Sequence, residues 1–164
     1  MKLDGTISIA ADRSRVWDQI VDPVTLASCV PGVGGVRAVD DRTFEGAITI
    51  GIGPIDGSFT FTSVLTRTNA PDDLDVEVRG LDSVTKSRVE ADVACSLADT
   101  PDGGTALAYR ANLRVGGRLA IVGEMVLRAT AGALIAQVTR CLRDRLEPPA
   151  TVAEAAPRAD RAAP

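Results

Sequence analysis

From Val33 to Val115 the chain alternates apolar and polar residues with a period of two, as it does more briefly from Leu3 to Ala10. Phe44, Gly46, Ile48 and Ile50 share one side of a strand, with Thr43, Glu45, Ala47 and Thr49 on the other. After the turn Gly51-Ile52-Gly53-Pro54, Phe59, Phe61, Ser63 and Leu65 oppose Ser58, Thr60, Thr62, Val64 and Thr66. The pattern recurs with Leu74, Val76 and Val78, again with Val89, Ala91, Val93, Cys95 and Leu97, and again with Tyr109, Ala111, Leu113 and Val115. Strands with one apolar and one polar face predict an antiparallel sheet that is wet on one side and covered on the other.

The two ends of the chain supply the helices. Leu3 to Ala10 reads as a first strand; Asp12 is placed to cap a helix that puts Val16, Trp17, Ile20 and Val21 on one face. Asp22-Pro23 ends that helix, and Val24 to Cys29 predicts a second short one, stopped by Pro31-Gly32. Arg118 to Leu146 contains no proline and predicts one long closing helix, roughly 40 Å at the usual rise. Its two halves disagree in phase: Leu119, Val122, Met125, Val126 and Ala129 gather on one side, Leu134, Val138, Cys141 and Leu142 on the other. That predicts a break near Gly123 or Gly132; the alternative is a first half with surplus apolar surface, at a cavity mouth or a membrane-contact rim. The expected architecture is α+β: a seven-stranded antiparallel sheet wrapped around a long C-terminal helix, with two short helices after the first strand. The folded domain is expected over residues 1–146, with 147–164, rich in Ala, Pro and charge, as a disordered tail.

Composition narrows the chemistry. The 164 residues carry a net charge of −4, which disfavours a non-specific nucleic-acid binder. With no histidine, the commonest general base and the commonest transition-metal ligand are missing. Cys29, Cys95 and Cys141 lie too far apart for a Cys-x-x-Cys motif and are expected to be free thiols in a reducing cytoplasm. No uninterrupted apolar run reaches transmembrane length, so the folded part is expected to be soluble.

The order strand, two helices, six strands, long helix resembles the helix-grip superfamily of lipid-transfer and polyketide-cyclase domains, also called START-like or SRPBCC. Three segments narrow the likeness: LASCVPGV after the first helices, the hairpin ITIGIGPIDGSFTF, and the strand-to-helix junction LRVGGRLAIVGEMVL. Together they resemble CoxG, the G-subunit family of carbon monoxide dehydrogenase, over about residues 1 to 146. The resemblance implies a non-catalytic accessory protein with no metal or covalently bound cofactor. Its partner would be a molybdenum-containing hydroxylase of the carbon monoxide dehydrogenase type. It would bind a lipophile such as a quinone and help recruit the enzyme to the inner face of the cell membrane. Members of that family often end in an apolar or amphipathic anchor, whereas Val152 is the sole larger aliphatic residue between Pro148 and Pro164 here.

The candidate site is therefore an apolar cavity between sheet and helix, lined by Trp17, Phe44, Phe61, Val93, Tyr109, Met125 and Leu134. Inward small residues such as Gly46, Ser63, Ala91 and Ala111 leave room beneath the helix, although small residues also permit solid packing. Membrane or partner contact is expected from Ile52 and Leu127, with Arg114 and Arg118 near lipid headgroups. Two other readings stay open: a cyclase or hydrolase on the same fold, whose inward candidates are Tyr109 and a cysteine, and an interaction module with a filled core. The remaining motifs have local explanations. Gly51 to Pro54 is a hairpin turn, Gly116-Gly117 permits a sharp strand-to-helix corner, and Asp40-Asp41 and Asp72-Asp73 are turn residues. Glu124 and Arg128 have the spacing of a surface helix pair.

Overall fold

The computed structural model describes residues 1–148, so most of the expected tail lies outside the described residues. The elements are β1 (Lys2–Ile9), α1 (Arg13–Val21), α2 (Pro23–Ala27), β2 (Val33–Ala38), β3 (Thr43–Ile52), β4 (Ile55–Asn69), β5 (Asp73–Asp82), β6 (Ser87–Asp99), β7 (Thr105–Gly116), a 3₁₀ segment (Gly117–Val122) and α3 (Glu124–Leu146). All strand pairs are antiparallel, as the alternation predicts, and the strand order is β1-β7-β6-β5-β4-β3-β2. Register shifts in β2 between Gly34 and Arg37 and in β4 between Leu65 and Arg67 bend the sheet about the helix.

The long helix does break, at Gly123, whose φ of 89° only glycine adopts readily. Leu119 and Val122 therefore belong to the 3₁₀ segment, and the helical phase restarts at Glu124. From there one stripe runs along α3: Leu127, Thr130 and Ala131, Leu134, Val138, then Cys141 and Leu142. The apparent conflict of phase came from reading two segments as one. The 23 residues of α3 span about 35 Å, and by length and hydropathy the helix could cross a membrane. Here it is tied to the sheet. At its C-terminal end Arg143 Nε donates to the Ser8 carbonyl at 3.1 Å, and Arg145 donates to the Thr25 carbonyl and to Ser28 Oγ. Glu147 accepts from the Ala10 N–H at 2.8 Å. At the other end Arg128 donates to the Lys2 carbonyl at 2.9 Å and pairs with Glu124. Two of these carbonyls lie on β1, an edge strand with unpaired backbone groups to offer.

The cysteine expectation is overturned. Cys29 and Cys141 form a disulfide, with Cα atoms 5.5 Å apart, that joins the end of α2 to α3 across 112 residues. In the chain-entropy account a loop of that length is worth about 4 to 5 kcal/mol. The bond also removes the thiol-based reason for assigning a reducing compartment. Cys95 is the free cysteine, and burial, followed by the nearby Asp75 charge, pushes its thiol up to about 11. One cap differs as well: Asp12 makes no side-chain cap, while the Asp22 carboxylate caps α2 through the Val24 N–H at 3.0 Å.

Apolar packing is divided in two. The larger cluster joins α1, the ends of the strands and the last turns of α3, with Val16, Trp17, Phe44, Leu65, Leu107, Leu142 and Leu146 at its heart. The smaller holds Ile52, Phe59 and Leu119, backed by Val89, Val115, Val126 and Leu127. A polar lock fixes the smaller cluster. Ser87 Oγ accepts from the Leu119 N–H at 3.0 Å and from Thr85 Oγ1 at 2.8 Å. Gly117 is required beside it, since a Cβ there would lie 1.8 Å from the Lys86 carbonyl oxygen. Asp82, 2% exposed, accepts from the N–H groups of Val84, Thr85 and Ser58.

Burial raises the Asp82 carboxyl, but these hydrogen bonds outweigh it and hold the group below its ordinary value. A depressed carboxylate stabilises the fold fully above the unfolded-state value near 3.8 and loses that contribution as pH falls through the folded-state value. Asp82→Asn is therefore expected to lower Tm at pH 7 and to lessen the drop in Tm on acidification below about pH 4. Thermal unfolding of both proteins between pH 7 and pH 2.5, followed by circular dichroism, checks this; equal acid sensitivity would refute it.

Candidate ligand-binding cavity

Between the two apolar clusters the space under α3 is unfilled. A cavity of about 380 Å³, open to solvent, lies there. α2 and the residues after it contribute Pro23, Leu26, Ala27 and Val30, and β2 contributes Val33 and Val36. The floor is Ile48, Ile50 and Ile52 of β3, Phe59, Phe61 and Ser63 of β4, then Val78, Gly80, Val89, Leu113 and Val115. Leu119 closes one end, and Leu127, Thr130, Ala131 and Leu134 of α3 form the roof. The wall is almost wholly hydrocarbon, and among the described residues no Asp, Glu, Lys or Arg contributes to it; Met1 also lines it, its N-terminal ammonium donating to the Leu113 carbonyl at 2.9 Å.

The floor stays low because aromatic rings lie along the sheet instead of standing on it. Phe61 pairs in register with Gly46, and a Cβ on Gly46 would come within 2.8 Å of the Phe61 ring. Phe59 covers Gly57 in the same way, at 2.5 Å, and touches the space above Gly80. Glycine removes the one atom that would lift each ring, so the height between sheet and helix remains available to a guest.

Of the sequence-predicted lining residues, Phe61 and Leu134 are in the wall. Trp17 on α1 and Phe44 and Tyr109 on the inward side of the sheet belong instead to the larger cluster, together with Leu142 and Leu146 of α3. Val93 is not in the wall either. Met125 is 85% exposed, because the restart at Gly123 turns it away from the sheet. The expected contact residues also change place. Ile52 is 6% exposed and lines the cavity, as does half-buried Leu127. Arg114 is held on the outer face by Glu90 and Asp92, whereas Arg118 is exposed. The α2 residues, Ile48, Ile50, Leu119 and Ala131 were missed. Ile48 and Ile50 could have been found, as they share the strand face of Phe44 and Gly46.

The two inward groups considered for an enzyme are elsewhere. Tyr109 lies flat over Gly5, whose Cβ would sit 2.5 Å from its Oη, and Cys95 packs against the same solid cluster. The open space equally departs from a filled-core interaction module.

Fold and cavity together define a START-like helix-grip domain. A conserved protein from Geobacillus kaustophilus has the same fold, with a TM-score of 0.82 and 23% identity, over 88% of this chain and 94% of that one. A START superfamily protein from Mycobacterium smegmatis superposes with a TM-score of 0.67 at 13% identity, over 89% and 97% of the two chains. Protein CV1439 from Chromobacterium violaceum gives 0.66 at 14% identity, over 91% and 99%. No curated protein matches the chain. The sequence matches CoxG, the carbon monoxide dehydrogenase G-subunit family, over residues 5–147, and the chain belongs to that family.

The flat-ring floor has a direct consequence. Gly46→Val should force the Phe61 ring up into the cavity and weaken binding of an apolar fluorophore such as N-phenyl-1-naphthylamine by roughly tenfold, about 1.4 kcal/mol. Fluorescence titration against the parent protein measures it. Unchanged affinity in a folded variant would show that ring height does not set the cavity.

Proposed function

We propose that this protein is a non-catalytic accessory protein that holds a lipophilic small molecule, a quinone or another lipid, in the cavity under α3. On this reading it serves a molybdenum-containing hydroxylase of the carbon monoxide dehydrogenase type. The observation that carries the reading is the cavity wall, an unfilled apolar space of about 380 Å³ with no ionisable side chain among the described residues. That volume falls in the range of small-molecule sites. It suits a ring and a short length of chain, with any longer tail leaving through the opening. Membership of the CoxG family supports the choice of partner enzyme.

Binding is tested by titrating the full chain with a naphthoquinone bearing a short isoprenoid chain, alongside Ala131→Phe, which places a ring in the cavity roof. The parent should bind one equivalent, and the filled variant should bind at least tenfold more weakly at comparable Tm. Equal binding by both would mean that the quinone sits elsewhere.

Peripheral membrane contact belongs to the same proposal, with different residues from those the sequence pointed to. Ile121 on the 3₁₀ segment is 82% exposed, Met125 in the first turn of α3 85%, and Val84 83%, the last on the β5–β6 turn that leads to Ser87, whose hydroxyl accepts from the Leu119 N–H. Exposed Lys86, Arg88 and Arg118 flank these groups in a chain that is acidic overall. Apolar groups bordered by cations suit an anionic lipid surface. Co-sedimentation with phosphatidylglycerol vesicles should be lost in Ile121→Asp/Met125→Asp and kept by a chain ending at Pro148. The reverse pattern would assign the contact to residues 149–164.

A further inference from the structure

Two polar side chains, Ser63 and Thr130, interrupt the hydrocarbon wall of the cavity. The Thr130 hydroxyl is already committed, donating to the Val126 carbonyl one turn back in α3 at 2.9 Å. Ser63 differs: among the described residues its hydroxyl has no hydrogen-bond partner, although the side chain is half-buried and faces the cavity. Its strand neighbours offer none, because Phe44 and Val78 pair with it in the sheet ladder and carry apolar side chains. The open cavity lets water reach this hydroxyl, and a guest that fills the space displaces that water, so a guest that supplies an acceptor is favoured over one that leaves the hydroxyl unpartnered.

The position of Ser63 along β4 gives the site a direction. The inward series of that strand begins at Phe59 in the smaller apolar cluster, passes Phe61 and Ser63, and ends at Leu65 in the larger one. Ser63 thus lies at the end of the cavity beside the solid core, away from Leu119 and the exposed corner at Ile121. We infer that Ser63 is the polar anchor of the cavity. It selects an uncharged lipophile bearing an oxygen, such as a ketone, quinone or alcohol, and seats that oxygen toward the larger cluster with the hydrocarbon chain running toward Leu119. This rests on the reading of the cavity as a lipophile site, and it adds which functional group is recognised and which way round the guest lies. Among the described residues the one charged group at the wall is the Met1 ammonium, which donates to the Leu113 carbonyl at 2.9 Å, so a carboxylate would be drawn to Met1 and not to Ser63.

The test compares 2-undecanone, undecane and undecanoate as competitors of N-phenyl-1-naphthylamine on the full chain, Ser63→Ala and Ser63→Thr. Because each compound is compared with itself across variants, differences in aqueous solubility cancel. Loss of the hydroxyl should weaken 2-undecanone about three- to tenfold and leave undecane and undecanoate unchanged, while Ser63→Thr should restore the ketone. An equal effect on ketone and alkane, or none on either, overturns the anchor while leaving a lipophile cavity intact. Failure of all three compounds to displace the fluorophore from the parent overturns the lipophile reading and the anchor together.

Discussion

The structure depends on a helix that is held at its ends and unsupported along its middle. Arg143, Arg145, Glu147 and the Cys29–Cys141 bond fix the last turns of α3, while Arg128 and the Gly123 corner fix the first. Packing completes itself at both places, in the larger cluster around Leu142 and Leu146 and the smaller one around Leu119. The span between is longer than the side chains available to fill it, and the cavity is what remains. Interiors normally close to crystal-like density, so an unfilled apolar space persists here because the anchors at the two ends prevent the helix from settling onto the sheet.

The same constraint accounts for the composition of the floor. With the helix fixed at a given height, any side chain standing on the sheet would consume the space, and the sequence places glycine beneath the large rings. Gly46 under Phe61 and Gly57 under Phe59 keep the rings flat, preserving apolar surface without occupying depth. Anchors and flat floor together leave an open space with an almost wholly apolar wall.

The sheet was legible because alternation reports which face of a strand is covered, and it did so for every strand from Phe44 to Val115. Alternation does not report depth along the strand. Phe44 and Phe61 share the inward side, yet one is sealed by the last turns of α3 and the other faces open space. Tyr109 was misplaced for the same reason, and Trp17 because a helical face says which side is apolar and not which part of the sheet it packs on. Met125 was misplaced by helical phase, as counting continuously through Gly123 carries a false register into the first turns of α3. The disulfide left no local trace, because spacing rules read cysteines a few residues apart and this pair is separated by 112. The exposed corner of Val84, Ile121 and Met125 required the β5–β6 turn and the 3₁₀ segment to be brought side by side.

The central claim is that the space between the two apolar clusters is empty and apolar. Crystals of the full chain pressurised with xenon test it most directly, since xenon occupies apolar space without hydrogen bonding. Xenon density is expected in the space bounded by Phe61, Val78 and Leu134, with the backbone of α3 unmoved. Absence of xenon, with Leu134 packed directly against Phe61, would show that the helix settles onto the sheet and that there is no container.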